Sequence, residues 1–239
     1  MSYVTLTQSP SPNFNDRAAG ATPSVLVLHY TDLPDTETSR QWLCDPEKKV
    51  SSHYLVDLDG SVIQMVDENK RAWHAGQSYW RGMTDLNTHS IGIEIQNTGH
   101  SLGYVPFPDK QIAGVVALCR DILSRHDIPA RNVLAHSDIA PARKQDPGHL
   151  FPWRTLAAAG IGLWPRELAS GLMSPQAFMT ALAHVGYDPT LPAEVLVPAF
   201  QRHFEPEAFE DGGMPGMVTG RTMSRLSGLV ALIDARIMT

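Results

Sequence analysis

The sequence predicts an α/β domain followed by a small all-helical domain. Two short apolar runs, at residues 25–28 and 132–135, have the composition of strands that are buried on both faces. A third run, at residues 90–96, alternates isoleucine with small or polar residues, so one face of that strand packs on the core. The clearest helix, at residues 109–126, separates these runs. Strands separated by helices indicate the α/β class.

The first 66 residues give three further elements. Residues 1–24 contain several prolines and are predicted to form an extended arm and loop. Residues 36–44 can form a helix that ends before Pro46. Asp59 and Gly60 lie between two apolar runs and predict the turn of a β-hairpin.

Apolar side chains at helical spacing define the helix at residues 109–126. Those side chains are Ile112, Val115, Val116, Cys119, Ile122 and Leu123. Asp109 is the predicted N-cap, because its carboxylate can accept a hydrogen bond from the first turn. A second helix is predicted at residues 153–159 and ends at Gly160.

The composition changes beyond residue 165, and no strand pattern follows. Three helices are predicted there, at residues 174–185, 193–204 and 219–234. Ser174 followed by Pro175 fits an N-cap with proline at the first helical position. We therefore expect one domain at residues 1–168 and a helical domain at residues 171–239.

Composition and charge exclude several classes of protein. The 239 residues carry a net charge of −6 and no basic run longer than the pair Arg143–Lys144, which argues against a nucleic-acid partner. Cys44 and Cys119 are too few for a disulfide framework or a cysteine-rich zinc site. No signal peptide or membrane-spanning run is evident, so the sequence predicts a cytoplasmic protein, with action in the periplasm or cell wall left open.

Three side chains are candidate ligands of one zinc ion per chain. His29 ends the first buried strand, His136 follows the last one, and Asp146 lies ten residues further on. Two imidazoles and one carboxylate suit a catalytic zinc ion, whose fourth position is left to water. Each residue also has an ordinary interpretation: a lone histidine after a strand is usually structural, and Asp-Pro-Gly favours a turn. A rigid turn is compatible with a metal ligand.

Glu94 and Lys144 are the candidate catalytic residues. Glu94 points away from the three isoleucines of its strand and is either simply exposed or the general base for the attacking water. Lys144 is either a solvated surface charge or a cation directed at the oxyanion that forms during amide attack.

Four residues are candidates for contacts with substrate. Trp73, His74, Trp80 and Asn97 are predicted to line a cleft, on the basis of aromatic and polar side chains near the candidate site. His53 is instead interpreted as a core histidine or as a partner of a ligand.

Several sequence blocks occur together in a recognisable order between residues 24 and 165. They are VLHYT, SSHYLVD, RAWHAG, SIGIEIQN, AHSDIAPARKQDPG and FPW. Together they resemble the zinc-dependent N-acetylmuramoyl-L-alanine amidases of the AmpD/AmiD type. The resemblance implies a mixed central sheet flanked by helices, of the peptidoglycan-recognition-protein type. It also implies zinc ligation by His29, His136 and Asp146, and catalysis by Glu94 and Lys144.

The C-terminal helices are similar to a small three-helix peptidoglycan-binding domain that follows some AmiD-like amidases. The resemblance implies hydrolysis of the bond between N-acetylmuramic acid, ordinary or 1,6-anhydro, and L-alanine of the stem peptide. Peptidoglycan or muropeptide fragments are then the partners, and the oligomeric state is left open. Two alternatives are a non-catalytic peptidoglycan-binding protein of the same fold and a zinc hydrolase acting on another amide.

Overall fold

A computed structural model describes residues 6–168 and 173–237, with side chains up to residue 235. Its strands are β1 (Leu6–Gln8), β2 (Phe14–Asp16), β3 (Val25–Tyr30), β4 (Tyr54–Val56), β5 (Val62–Gln64), β6 (Lys70–Ala72), β7 (Ser90–Ile95) and β8 (Val133–Ala135). Six of them form a mixed central sheet in the order β1-β5-β4-β7-β3-β8. Strands β2 and β6 form a separate antiparallel pair.

Helices flank this sheet, so the predicted mixed α/β fold is confirmed. They are α1 (Thr36–Cys44), α2 (Leu86–His89), α3 (Gly99–Leu102), α4 (Asp109–Arg125), α5 (His136–Ile139), α6 (Trp153–Ala158), α7 (Pro175–Val185), α8 (Ala193–Phe204) and α9 (Gly220–Ile237). Within the residues that the structure describes, none of these helices is long and apolar enough to cross a membrane.

Most predicted elements are confirmed, with small changes at their ends. Helix α1 has the predicted bounds, and the predicted hairpin is the antiparallel pair β4–β5. Strand β3 continues beyond the apolar run to Tyr30, so His29 lies inside a strand. The prediction of Asp109 as an N-cap was wrong. Pro108 occupies the N-cap position, and Asp109 is the first helical residue. Its negative charge still interacts favourably with the positive N-terminal end of the helix dipole.

The N-terminal arm contributes more structure than the sequence predicted. From residue 6 onward it supplies β1, which pairs in parallel with β5, and β2, which pairs with β6. Both strands are three residues long and exposed, so they carry no alternation of apolar and polar residues. Backbone pairing to sheet edges holds them.

The two faces of the sheet pack against different helices. Side chains of β3 and β7 such as Leu26, Leu28 and Ile93 share one apolar cluster with α4. Val25 and Val27, which alternate with them along β3, lie in a second cluster with α7, α8 and α9. The sheet is therefore covered on both faces, as expected for largely parallel strands.

The C-terminal helices form as predicted, and they pack directly on the α/β part. The Ser174 side chain accepts a hydrogen bond from the Ala177 amide at 3.2 Å and caps α7. The predicted boundary at residues 169–170 lies outside the described residues. The division into two domains stays a prediction, and the shared apolar cluster shows that the two parts bury surface against each other.

Candidate metal centre and cleft

Parallel strand pairing brings His29 and His136 together. Strand β3 pairs with β8 so that Leu28 lies opposite Ala135. His29 follows Leu28 inside β3, and His136 follows Ala135 as the first residue of α5, so both histidines lie at the carboxyl edge of the sheet. Asp146 reaches the same point from the loop after α5, whose Ser137 amide donates to the Asp146 carbonyl at 3.0 Å.

The three side chains converge on one point. The Nδ1 atoms of His29 and His136 are 2.9 Å apart, and Oδ2 of Asp146 lies 3.1 Å from the first and 3.0 Å from the second. All three residues are buried. A zinc ion with bonds of about 2.0–2.1 Å in tetrahedral geometry separates its ligand atoms by about 3.3 Å. The observed triangle needs little expansion to accept such an ion.

The chemistry of these donor atoms also fits a cation. Burial, followed by the neighbouring His136, lowers the pKa of His29 to about 4, so its imidazole is neutral at pH 7. Burial raises the pKa of Asp146, but His136 and His29 outweigh that effect and hold it well below its usual range. A neutral imidazole and an ionised carboxylate are the forms that bind metal. A cation placed between these three atoms would remove the repulsion among lone pairs that face one another.

A backbone carbonyl supports His136 on its far side. Nε2 of His136 lies 3.2 Å from the carbonyl oxygen of Ala75, which can only accept a hydrogen bond. The hydrogen therefore lies on Nε2 and leaves Nδ1 free to bind a metal. Arg143 donates to the same carbonyl and to that of Gln77, and its Nη2 is 3.4 Å from Nε2 of His136. The metal site is thus tied to the loop that follows β6.

Glu94 lies beside His29 on the neighbouring strand. The register of β3 with β7 pairs these two residues, so their side chains leave the same face of the sheet. Oε2 of Glu94 is buried and has no hydrogen-bond partner among the described residues. Burial, then the charge of Asp146, raises the pKa of Glu94 well above its usual value, and Lys144 opposes this. A carboxylate held in this way is suited to accept a proton.

Lys144 lies at the mouth of the cleft. Its amide donates to the Ala140 carbonyl at 3.0 Å, which fixes the turn that precedes Asp146. Its side chain is exposed, and its charge acts on both His29 and Glu94. The structure therefore brings the two predicted catalytic residues and the three predicted ligands to one place.

These residues line a cleft with a volume of about 310 Å³. Two of the four predicted substrate contacts, Trp73 and His74, are in its wall. Trp73 is partly exposed, and its indole Nε1 donates to Asn15 Oδ1 at 2.6 Å. The remaining lining residues are Tyr30, Thr31, Asp32, Leu33, Ser39, Trp42, Leu43, Val50, Ser51, Arg143 and Gln145.

Trp80 and Asn97 are not in the cleft, which corrects the prediction for these two residues. Trp80 is 1% exposed and packs edge-on against Tyr187, in the apolar cluster of the C-terminal helices. The Asn97 amide is used within a loop, where it donates to the Val105 carbonyl at 2.8 Å and accepts from the Gly99 amide at 3.0 Å. Both side chains stabilise structure around the site.

Sequence reasoning missed Trp42, Tyr30 and Arg143 as parts of the cleft. Trp42 is 42% exposed on α1, and the Lys48 ammonium lies 3.9 Å from the centre of its ring. Such exposure of a large aromatic side chain is unusual. From sequence alone, however, a single tryptophan in a predicted helix is expected to be buried in the core. Arg143 carried a usable signal, because it precedes the candidate Lys144.

Comparison with known proteins places the chain in a family. The family model described as N-acetylmuramoyl-L-alanine amidase matches residues 19–149. The N-acetylmuramoyl-L-alanine amidase AmiD of Escherichia coli (strain K12) is 42% identical over 212 residues, which cover 77% of this chain and 76% of AmiD. The 1,6-anhydro-N-acetylmuramyl-L-alanine amidase AmpD of the same organism is 37% identical over 161 residues, covering 60% of this chain and 86% of AmpD.

Solved structures extend the similarity to the C-terminal helices. AmiD from E. coli, in complex with the substrate anhydro-N-acetylmuramic acid-L-Ala-D-gamma-Glu-L-Lys, matches with a TM-score of 0.78 and 36% identity over 92% of this chain and 98% of that one. AmpDh3 from Pseudomonas aeruginosa matches with a TM-score of 0.79 and 31% identity over 94% and 98%. AmpDh3 has also been solved in complex with anhydromuramic pentapeptide.

Proposed function

The chain belongs to the N-acetylmuramoyl-L-alanine amidase family, and we propose from this membership and its cleft that it works as a single-zinc amidase. It hydrolyses the amide bond between N-acetylmuramic acid and L-alanine of the peptidoglycan stem peptide. The observation that carries the zinc proposal is the convergence of His29, His136 and Asp146 within hydrogen-bonding distance of one another.

His29, His136 and Asp146 would hold the ion. A zinc ion bound there would supply a Lewis acid that makes water a better nucleophile near neutral pH and polarises the scissile carbonyl. Glu94 orients the attacking water and takes up its proton at Oε2, a buried oxygen atom with no hydrogen-bond partner in the part of the chain that the structure describes. The same carboxyl group then gives the proton to the leaving nitrogen of L-alanine.

Two cations at the mouth of the cleft, Lys144 and Arg143, have different roles. The ammonium of Lys144 stabilises negative charge on the carbonyl oxygen of the lactyl group. Arg143 is tied to the carbonyls of Ala75 and Gln77, so we assign it to holding the loop. Trp73 and His74 lie in the cleft wall, where Trp73 offers an apolar surface to the sugar or the peptide.

Removal of the metal tests this proposal directly. We expect a chelator to abolish cleavage of muropeptides and stoichiometric zinc to restore it, because the ligand set is needed to activate water. Mass detection should find a free stem peptide with an L-alanine amino terminus, whereas an amidase acting on another bond would release a different fragment. Full activity in protein shown to be metal-free would refute the zinc mechanism.

A non-catalytic peptidoglycan-binding protein of the same fold is the alternative. The complete set of three ligand atoms and the unpartnered Glu94 oxygen favour the enzyme. Side-by-side digestion of purified sacculi and of anhydro-muropeptides distinguishes intact wall from recycled fragments as the preferred substrate. Binding without release of peptide from either would favour the alternative.

We further propose that helices α7–α9 bind the cell wall. The support is the resemblance of these helices to a peptidoglycan-binding domain and the match of the solved AmiD and AmpDh3 chains, which covers 92% and 94% of this chain. Truncation is a poor test, because these helices share an apolar cluster with the sheet.

Sedimentation of the full-length chain with insoluble sacculi is a better test of wall binding. A Glu94→Gln variant prevents hydrolysis during the assay, and excess soluble muropeptide occupies the cleft. We expect the protein to remain with the pellet, because the helices still hold the wall. Complete release by muropeptide would assign all binding to the cleft.

A further inference from the structure

The imidazole of His74 connects a metal ligand to the backbone of the sheet. Its Nδ1 lies 3.0 Å from Nε2 of His29, and its Nε2 lies 3.1 Å from Oγ of Ser90. The Ser90 hydroxyl is in turn 2.5 Å from the carbonyl oxygen of Leu86. All of these side chains are buried. The contacts form a continuous chain from a fixed carbonyl to the metal centre.

The carbonyl at one end sets the direction of every hydrogen bond in this chain. A carbonyl oxygen can only accept, so the Ser90 hydroxyl donates to Leu86. The Ser90 oxygen then accepts from Nε2–H of His74. In the neutral imidazole one ring nitrogen donates and the other accepts, so with Nε2–H directed at Ser90 the Nδ1 atom of His74, which faces His29, is the acceptor. Nε2–H of His29 donates to it, and Nδ1 of His29 keeps its lone pair.

Two further features fix His74 in this position. The Asn87 side-chain oxygen accepts from the backbone amides of His74 and Ala75, at 3.0 and 2.7 Å. The His74 ring lies against Gly92 of β7 so closely that a β-carbon there would be 2.5 Å from the ring carbon Cγ. Only glycine leaves room for the ring at this point, which gives the placement of His74 a steric as well as a polar basis.

We propose that His74 is a positioning residue that holds His29 in the tautomer able to bind the metal. The Leu86–Ser90–His74 chain keeps the hydrogen of His29 on Nε2 and its Nδ1 free, facing His136 and Asp146. The inference rests on the zinc site proposed above and assigns His74 a role beyond lining the cleft. His136 reaches the same state through the Ala75 carbonyl directly. The two ligands are thus fixed independently.

Zinc affinity tests this role without reference to catalysis. His74→Phe keeps a ring but removes both nitrogens, and His74→Asn keeps an acceptor oxygen near the position of Nδ1. We expect His74→Phe to weaken zinc binding by about 10–100-fold, as found when outer partners of a ligand are removed. His74→Asn should recover most of that loss. Ser90→Ala should lower affinity as well, because it removes the group that orients His74 without touching His29.

Competition with a chromogenic chelator measures these zinc affinities. His184→Phe removes an imidazole at an exposed site and serves as the control. Thermal unfolding of the metal-free variants shows whether they are folded. Should His74→Phe be unfolded, His74→Asn and Ser90→Ala carry the comparison. Unchanged zinc affinity in folded His74→Phe, or an equal loss in His74→Phe and His74→Asn, would overturn the proposal.

Nitrogen-15 NMR of the metal-free protein provides a second measurement that a merely structural role would not affect. Long-range proton–nitrogen correlations should show His29 protonated at Nε2 in the parent protein and as a mixture of tautomers in His74→Phe. A single Nε2–H tautomer in that variant would refute the proposed relay. Failure of the parent protein to bind zinc would instead refute the zinc site itself, so the two failures are distinguishable.

Discussion

Glu94 combines a buried carboxylate oxygen with access to an open cleft. Its Oε2 atom has no partner among the described residues, although leaving such an atom unpaired is costly. Strand pairing places it next to His29, and burial raises its pKa well above the usual value. A group that is held at a cost to stability in a cleft is expected to act on substrate.

Glu94→Gln should therefore remove turnover and leave the metal in place. The amide has the size of the carboxylate but cannot take up a proton, so we expect kcat to fall by about 10²-fold or more. Initial rates on a soluble muropeptide, with zinc content measured on the same sample, check this. Glu37→Gln, on the exposed face of α1, is the matched control and should retain activity. Loss of zinc from Glu94→Gln would reassign Glu94 to a structural role.

The position of a site residue in the fold could be predicted where the residues next to it in sequence determine that position. His29 and His136 could be proposed as a pair because each directly follows a short apolar run, and in the structure those two runs are parallel neighbours. Trp73 and Trp80 could not be distinguished, since both look like cleft aromatics until one is found 1% exposed. The partner of His74 was equally hidden, because it lies 45 residues away.

Strand β7 shows how one element supplies both core and site. Its three isoleucines enter the cluster beneath α4, and the opposite face carries Gly92 and Glu94. The missing side chain at Gly92 makes room for the ring of His74. The alternation of side chains between the two faces of β7 therefore determines which of its residues reach the cleft.

Gly92→Ala should destabilise the protein, because the new methyl group would lie 2.5 Å from a ring that cannot easily move. Overpacking of this kind costs about 1–3 kcal/mol in free energy of unfolding. Urea-induced unfolding of the metal-free protein measures it. Gly220→Ala is the control, since a β-carbon there meets nothing within 4 Å. Equal stability of the two variants would contradict this account of Gly92.

Helices and internal strands were predicted more closely than edge strands or sheet order. Helix α1 begins after a cap at Asp35, whose side chain accepts from the Thr38 amide, and Pro46 follows its end, and both are local signals. Strands β1 and β2 are short, exposed and held by pairing with residues more than 50 positions away. The order of strands follows from such distant contacts, which a single sequence does not record. The mixed sheet was expected only from the family resemblance.

The C-terminal helices reach the segment that carries the candidate ligand His136 through a buried polar network. The carboxylate of Asp138, on α5, accepts hydrogen bonds from the Tyr187 hydroxyl at 2.7 Å and from Nδ1 of His203 at 2.6 Å. It also accepts from the Ala135 amide at 2.8 Å. Because α5 begins at His136, this network couples the helices to a candidate metal ligand.

Asp138→Ala should strongly lower the free energy of unfolding, because the network joins the C-terminal helices to the α/β part. Three buried donors would lose their acceptor, and each unsatisfied group costs about 1–3 kcal/mol, so we expect a loss of at least about 3 kcal/mol in the free energy of unfolding. Urea titration followed by fluorescence gives the value. Asp234→Ala is the control, since its pair with His184 is about half exposed and contributes less than about 1 kcal/mol. Similar losses in both variants would contradict a special role for the network.

The sequence predicted the helices but not how they are attached to the rest of the molecule. Their apolar faces were visible as helical periodicity, which does not reveal what those faces cover. Val27 and Trp80 lie in the same cluster as Phe200 and Leu229. That contact joins residues far apart in the chain, so it could only be found in three dimensions. The wall-binding role of the helices stays a prediction.

The pairing of β3 with β7 and β8 also makes metal uptake a check on correct folding. A slip of one residue along β3 would turn His29 into the apolar layer beneath α4 and put Leu28 or Tyr30 in its place beside Glu94. Such a misaligned chain could not gather the three donor atoms. For the proposed zinc site, the fraction of refolded molecules that retain the ion would therefore equal the fraction whose central strands are correctly aligned.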